Sequence, residues 1–203
     1  VLKAKSSMLV LAFLFVPLVI GLTLTPLLRR GLGVVGAQQL LLLIAGAGLV
    51  AITFVPAGLI LPCIALAGFG LSGPQTLTNV LFGQVVDEDE LRSGVRREGA
   101  FFGVNALITK PAQSVALWLI PAILQAAHFV TRQFQGGAML RDQPASAVMG
   151  IRMLVGLIPG IAMFVGALIL ALYPLRGRRL LEMKEKVLAL HAEKRARLEG
   201  QGS

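Results

Sequence analysis

Charge is scarce in this chain. Only 14% of its 203 residues are Asp, Glu, Lys or Arg, against about a quarter in an average soluble domain. A soluble surface needs more, so the deficit excludes an ordinary soluble globule. Cysteine is nearly absent too. A single Cys63 allows no intrachain disulfide and no cysteine-based metal site. The two histidines, His128 and His191, stand apart without ligand spacing, and both read as structural or solvated. No nucleophile–base pair is visible, so nothing points to an enzyme. The net charge of +9 is not interleaved with aromatics as in a single-strand stacking platform, which argues against nucleic acid. The start, "VLKAKSSMLVLAF", has no small-residue cleavage site and does not look like a signal peptide.

Apolar sequence is what the chain has in quantity: 56% of it is hydrophobic. Five runs stand out, at about 8–26, 34–54, 58–83, 98–127 and 149–173. Each is long enough to cross a hydrocarbon core of about 30 Å at 1.5 Å per residue. The predicted fold class is therefore an all-α integral membrane bundle of about five transmembrane helices over residues 1–174, followed by a basic tail, 175–203. Pro17, Pro62, Pro74, Pro111 and Pro159 would damage soluble helices but are tolerated as kinks in a membrane. Gly156 and Gly160 have the small-xxx-small spacing of a helix contact.

The breaks between runs set the orientation. If the chain crosses five times, Arg29 and Arg30, then Arg92, Arg96 and Arg97, then the tail from Arg176 to Arg197 fall on one side. Together they hold 13 of the 19 Lys and Arg residues. The other side has Lys3, Lys5, Arg132, Arg141 and Arg152. The positive-inside bias places the first group, with the C-terminus, in the cytoplasm, and the chain as a multi-pass protein of the plasma membrane, the inner membrane in a bacterium. The N-terminus then starts outside. With an odd span count, that reads as the C-terminal portion of a larger protein, with the lipid bilayer and a missing N-terminal half as partners.

In the tail, Leu180, Met183, Val187 and Leu190 follow helical rhythm, and Glu182–Lys186 and Glu193–Arg197 sit one turn apart. This predicts an amphipathic helix on the membrane face or on the cytoplasmic loops, or else a solvated helix with no partner.

The loop "DEDELRSGVRREG" runs acidic, then basic. Read as a calcium loop from Asp87, it has Arg92 at its sixth position, where glycine is required, and only Glu98 at the twelfth fits. No metal site is expected. An ion-pair network pinning two helix ends is the better reading, with Asp87, Asp89, Glu90, Arg96, Arg97 and Glu98 as a cytoplasmic gate; a merely solvated loop is the alternative.

In the fourth run, Lys110 lies twelve residues past Glu98, or about 18 Å along a helix. That is too deep to snorkel. A charge at mid-depth costs about 2.5–3.5 kcal/mol and is by default functional. Asn105, Thr109, Gln113 and Ser114 fall with Lys110 on one half of the helix, which should face a wet cavity. Pro111 frees the carbonyl of Leu107 beside it. In the third run, Ser72, Gln75 and Asn79 lie within about 60° on a helical wheel, with Pro74 loosening the helix at Gly70. They read either as a binding stripe or as interhelical hydrogen bonds.

The run "VVDEDELRSGVRREGAFFGVNALITKPAQSVA" resembles the loop between the tenth and eleventh helices of the glycoside–pentoside–hexuronide:cation symporter family, in the major facilitator superfamily. The matching residues are Asp87, Asp89, Glu90, Gly94, Arg96, Glu98, Gly99, Phe101, Phe102 and Lys110. "LTPLLRRGLG" looks like the eighth helix and its following loop, and "GIRMLVGLIPGIAMFVGALILALYPL" like the last helix. The resemblance implies helices eight to twelve of a transporter bundle that works by alternating access. It places Lys110, Asn105, Thr109, Gln113, Gln75 and Asn79 beside a substrate and cation cavity. It also implies a small-molecule substrate, a sugar or glycoside, and a coupling cation (Na+ or H+), with no resident cofactor. A carrier of a lipid or other amphipathic solute, and a non-transporting scaffold or defective half-transporter, stay open as alternatives.

Overall fold

The computed structural model describes residues 2–129 and 144–201. Arg132 and Arg141 lie outside the described residues. Among the described residues the regular structure is helical throughout: α1 Leu2–Phe54, a short 3-10 turn Ala57–Leu59, α2 Ile60–Ser93, α3 Glu98–Ala126, α4 Ala145–Arg152, a π-turn Met153–Leu157, α5 Ile158–Ala171 and α6 Gly177–Gln201.

The 53 residues of α1 would measure about 80 Å if straight, far more than a bilayer core. The helix is broken at Gly33, whose φ of 73° and ψ of 173° are not helical and which only glycine adopts without steric penalty. The two arms fold back as a hairpin, because both pack on one stretch of α2. Gly21 of the first arm meets Ser72 and Phe69. Gly48 of the second meets Ala67 and Cys63. The two apolar runs 8–26 and 34–54 are these two arms; among the described residues, four helical stretches, α1 with its break counted once, are long and apolar enough to cross a membrane.

α2 is the central helix, and its middle is made of small residues. A Cβ at Gly68 would run into the Leu14 carbonyl, and one at Gly70 into the backbone of Ala45 and Leu41. Gly68 and Gly70 are therefore points of close approach to the two arms of α1, in the segment where Pro74 was expected to loosen the helix. Close packing of this kind replaces the hydrophobic drive that lipid cannot supply. The helix also runs ten residues past its apolar run and ends where Gly94 takes up φ 74° and gives its N–H to the Glu90 carbonyl at 2.8 Å. Its 34 residues span about 51 Å, so the last turns, with Asp87, Glu88, Asp89 and Glu90, project beyond a core of about 30 Å.

α5 and the π-turn before it pack on the second arm of α1 through the expected glycines. A Cβ at Gly160 would lie 2.6 Å from Val50 and 3.1 Å from the Gly46 carbonyl, and one at Gly156 would lie 2.6 Å from Thr53 Oγ1. The contact is closed at both ends. Arg152 gives Nη1 protons to the carbonyls of Val55 (3.0 Å) and Thr53 (3.4 Å), capping the arm's C-terminus, where a cation is favoured. At the other end Gln39 donates to the Ala167 carbonyl at 3.0 Å, and Arg176 donates to Gln39 at 3.3 Å and to the Leu170 carbonyl. The widened π-turn lies just before Pro159, which has no N–H for the carbonyl one turn back.

α3 stands apart. None of its residues is buried, and Leu107, Val115, Leu117 and Trp118 are 61–73% exposed. Its main tie to α2 is the Phe82–Phe102 ring stack, with centroids 5.7 Å apart.

Candidate functional site

The loop acids and arginines come together at the projecting end of α2. Four residues, Gly94 to Arg97, turn the chain from α2 into α3, so the arginines fold back onto the helix they have just left. Arg96 reaches Asp87 (3.2 Å), Glu90 (3.3 Å) and, through Nε, Glu98 (3.2 Å). Arg97 grips both oxygens of Asp89, at 2.7 and 3.1 Å, the bidentate geometry that guanidinium favours. Arg92 takes Glu88 at 2.6 Å, one turn away. All six residues expected in the gate belong to this network. Glu98 also sits in the first turn of α3, where an acid suits the helix dipole.

Tertiary structure adds a third element. α6 lies against the same end: Leu175, Met183 and Val187 are buried, with Leu91, Tyr173 and Leu180 packed around them. This brings Lys194 Nζ to 2.7 Å from Glu90 and 3.1 Å from the Gly94 carbonyl. His191 Nε2 lies 3.1 Å from Glu90, and Arg179 lies 3.4 Å from Glu88. Glu90 is thereby 2% exposed, the one charged residue among the buried ones described. Its carboxyl is lowered to about 2, first by the Lys194 hydrogen bond, then by that of His191, against the opposing effect of burial. Arg96 is raised, first by its bond to Glu98.

His191, read from the sequence as structural or solvated, faces Glu90. A signal for this is in the sequence. His191 and Lys194 are on the helix face of Met183 and Val187, so that face carries its own cations to an acidic dock. The expected Glu193–Arg197 pair forms at 2.6 Å. Glu182 instead takes Arg178 at 2.9 Å, a guanidinium one turn earlier, in place of Lys186.

The residues expected at the cavity do not form a closed site among the described residues. Lys110, Thr109 and Gln113 are exposed on α3, and Asn105 is half-buried. Thr109 gives its hydroxyl proton to the Asn105 carbonyl at 2.8 Å, and Ser114 to that of Lys110 at 3.2 Å. Neither bond engages a second helix. Gln75 and Asn79 are exposed on α2, while Ser72, on the same wheel arc, is buried against Gly21 and donates to the Phe69 carbonyl at 2.7 Å. The polar stripe thus begins where the packing of α1 on α2 ends. Near the gate, Thr78, Leu81, Phe82, Val85, Phe101 and Tyr173 line an apolar cleft of about 240 Å³. Gln84 is 4% exposed and 3.4 Å from the Tyr173 hydroxyl.

Comparison with known proteins was made against this geometry. A family model described as MFS/sugar transport protein matches residues 1–177. An uncharacterised symporter of Synechocystis sp. (strain ATCC 27184 / PCC 6803 / Kazusa) is 33% identical over 109 residues, covering 54% of this chain and 20% of the relative. The matched stretch thus spans about a fifth of that relative's length. No solved structure matches.

Proposed function

The chain belongs to the MFS/sugar transport protein family, and from that premise we propose that it is the C-terminal bundle of a secondary transporter that couples a sugar or glycoside to a cation. It is a multi-pass membrane protein with a helical-bundle fold. The bundle rocks against an N-terminal bundle around a midplane site, and the ion-pair network of α2, α3 and α6 closes the cytoplasmic side.

One observation carries this reading. α3 has Lys110 at mid-depth and a polar half, yet no residue of it is buried by the other described helices. Lipid does not cover a lysine and two amides cheaply. A second bundle enclosing a wet cavity does. The name of the Synechocystis relative, a symporter, agrees with coupling to an ion.

The test is accumulation. The full-length protein is reconstituted in vesicles and given labelled hexosides and pentosides under an imposed Na+ or H+ gradient. Uphill accumulation with one of the two gradients is expected. Equilibration without accumulation would replace symport by facilitated passage, and no passage of any sugar would favour an amphipathic solute.

Orientation has a separate check. Ser93, at the gate end, is replaced by cysteine in a Cys63→Ser background and probed in intact cells with an impermeant thiol reagent. Labelling is expected only after permeabilisation; labelling of intact cells would reverse the topology.

A further inference from the structure

The residues of α6 that dock on α2 leave a flank with a different chemistry. Arg179 and Lys194 are fifteen residues apart, about 22 Å along α6. Their acids, Glu88 and Glu90, are two residues apart, about 3 Å along α2. A helix running beside α2 would spread its partners along it. α6 therefore crosses the projecting end of α2, and a helix that crosses a membrane-spanning one lies broadside to the bilayer. It begins at Gly177, six residues after α5 ends, so it starts close to the membrane surface.

The two flanks of α6 differ. One has Lys186, Arg179, Arg197, Glu182 and Glu193, with charge only. On the other, Leu181, Lys184, Leu188 and Arg195 fall within about 60° of arc. Leu181 and Leu188 are 62% and 69% exposed. Lys184 and Arg195 are exposed and make no ion pair among the described residues. Glu185 borders this arc, and Glu199 falls in line with Leu181 at the arc's distal end, one turn past Arg195. Apolar side chains alternating with free cations fit an interface where tails and anionic headgroups meet.

Resting on the membrane-spanning reading of the chain, we propose that the Leu181–Lys184–Leu188–Arg195 flank of α6 seats in the anionic headgroup region of the leaflet on the gate side. The membrane then holds the helix that covers Glu90, and the lipid composition of that leaflet sets how firmly it is held.

The experiment uses the full-length protein with Cys63→Ser and one environment-sensitive fluorophore, at Leu188→Cys or, on the opposite flank, at Lys186→Cys. Vesicles are phosphatidylcholine with or without phosphatidylglycerol, and include a headgroup-quencher lipid. Quenching at position 188 is expected, with a seated-to-lifted ratio about tenfold higher in the anionic vesicles at moderate salt. The double change Lys184→Glu, Arg195→Glu should return it to the level in phosphatidylcholine alone, and position 186 should stay unquenched. Equal quenching on both flanks, no quenching at 188, or quenching indifferent to phosphatidylglycerol would each overturn the proposal. Retention of the protein in the vesicles after an alkaline wash, read in the same samples, reports membrane spanning by itself. Its loss would count against that reading and not against the flank.

Discussion

Lys110→Met is expected to abolish accumulative uptake while expression and membrane insertion stay normal. The lysine sits about 18 Å past the start of α3, exposed, and its ammonium has no hydrogen-bond or ion-pair partner among the described residues. A charge kept at that depth costs about 2.5–3.5 kcal/mol. An interaction that only offsets this cost corresponds to about a hundredfold in rate, so uptake normalised to inserted protein should fall by about that factor. Lys110→Arg should recover little, because a planar fork does not substitute for a compact ammonium. Insertion should not suffer, since removing the charge makes the helix more apolar. The measurement is uptake or counterflow in vesicles. Near-normal transport by Lys110→Met would sink the cavity assignment of α3.

Glu90→Lys should release α6 from the end of α2. The carboxylate is buried while its partners Arg96, Lys194 and His191 are 38–43% exposed. Reversal sets a cation against three cationic or titratable groups in a place water hardly reaches. Solvent at the partners moderates the cost, so about 2 kcal/mol is a fair magnitude, or a thirtyfold lower docked-to-undocked ratio. Spin labels at Ser93→Cys and Ala192→Cys, with Cys63→Ser, should give a narrow distance distribution in the parent and a broad one in Glu90→Lys. Adding Lys194→Glu should narrow it again, and strict additivity of the two changes would argue against a direct pair. Arg96→Glu should likewise be rescued by a basic residue at Asp87, and not at Asp89, which Arg97 holds.

The same pair predicts the pH response. The folded Glu90 carboxyl lies at about 2, below its ordinary 4.5. A depressed acid stabilises the docked form fully above the unfolded value and loses that contribution as pH falls through the folded one. The distance distribution should therefore be unchanged from pH 8 to pH 5 and broaden only in stronger acid. Broadening near neutrality would mean that another group controls docking.

The sequence alone determined the membrane class, the helical runs and the ion-paired loop. Spanning is a property of length and hydropathy, both readable in one dimension. The loop ion pairs were legible because their partners are two to nine residues apart, Arg96–Glu98 and Arg96–Asp87 at the extremes, across a turn too short to point the arginines elsewhere. Gly156 and Gly160 announced a contact by spacing, but not with which helix. Only the tertiary structure decided that the contact is with Gly46, Leu49, Val50 and Thr53, and that the tail docks on the acids of α2. Lys194 and His191 lie 104 and 101 residues from Glu90. At such separations no local pattern selects a partner; the choice follows from where α5 leaves the bundle and from the Leu175–Met183–Val187 cluster that seats α6 beside Leu91. Burial of Glu90 follows from that seating, and with it the depressed carboxyl that turns a charged loop into a clamped one.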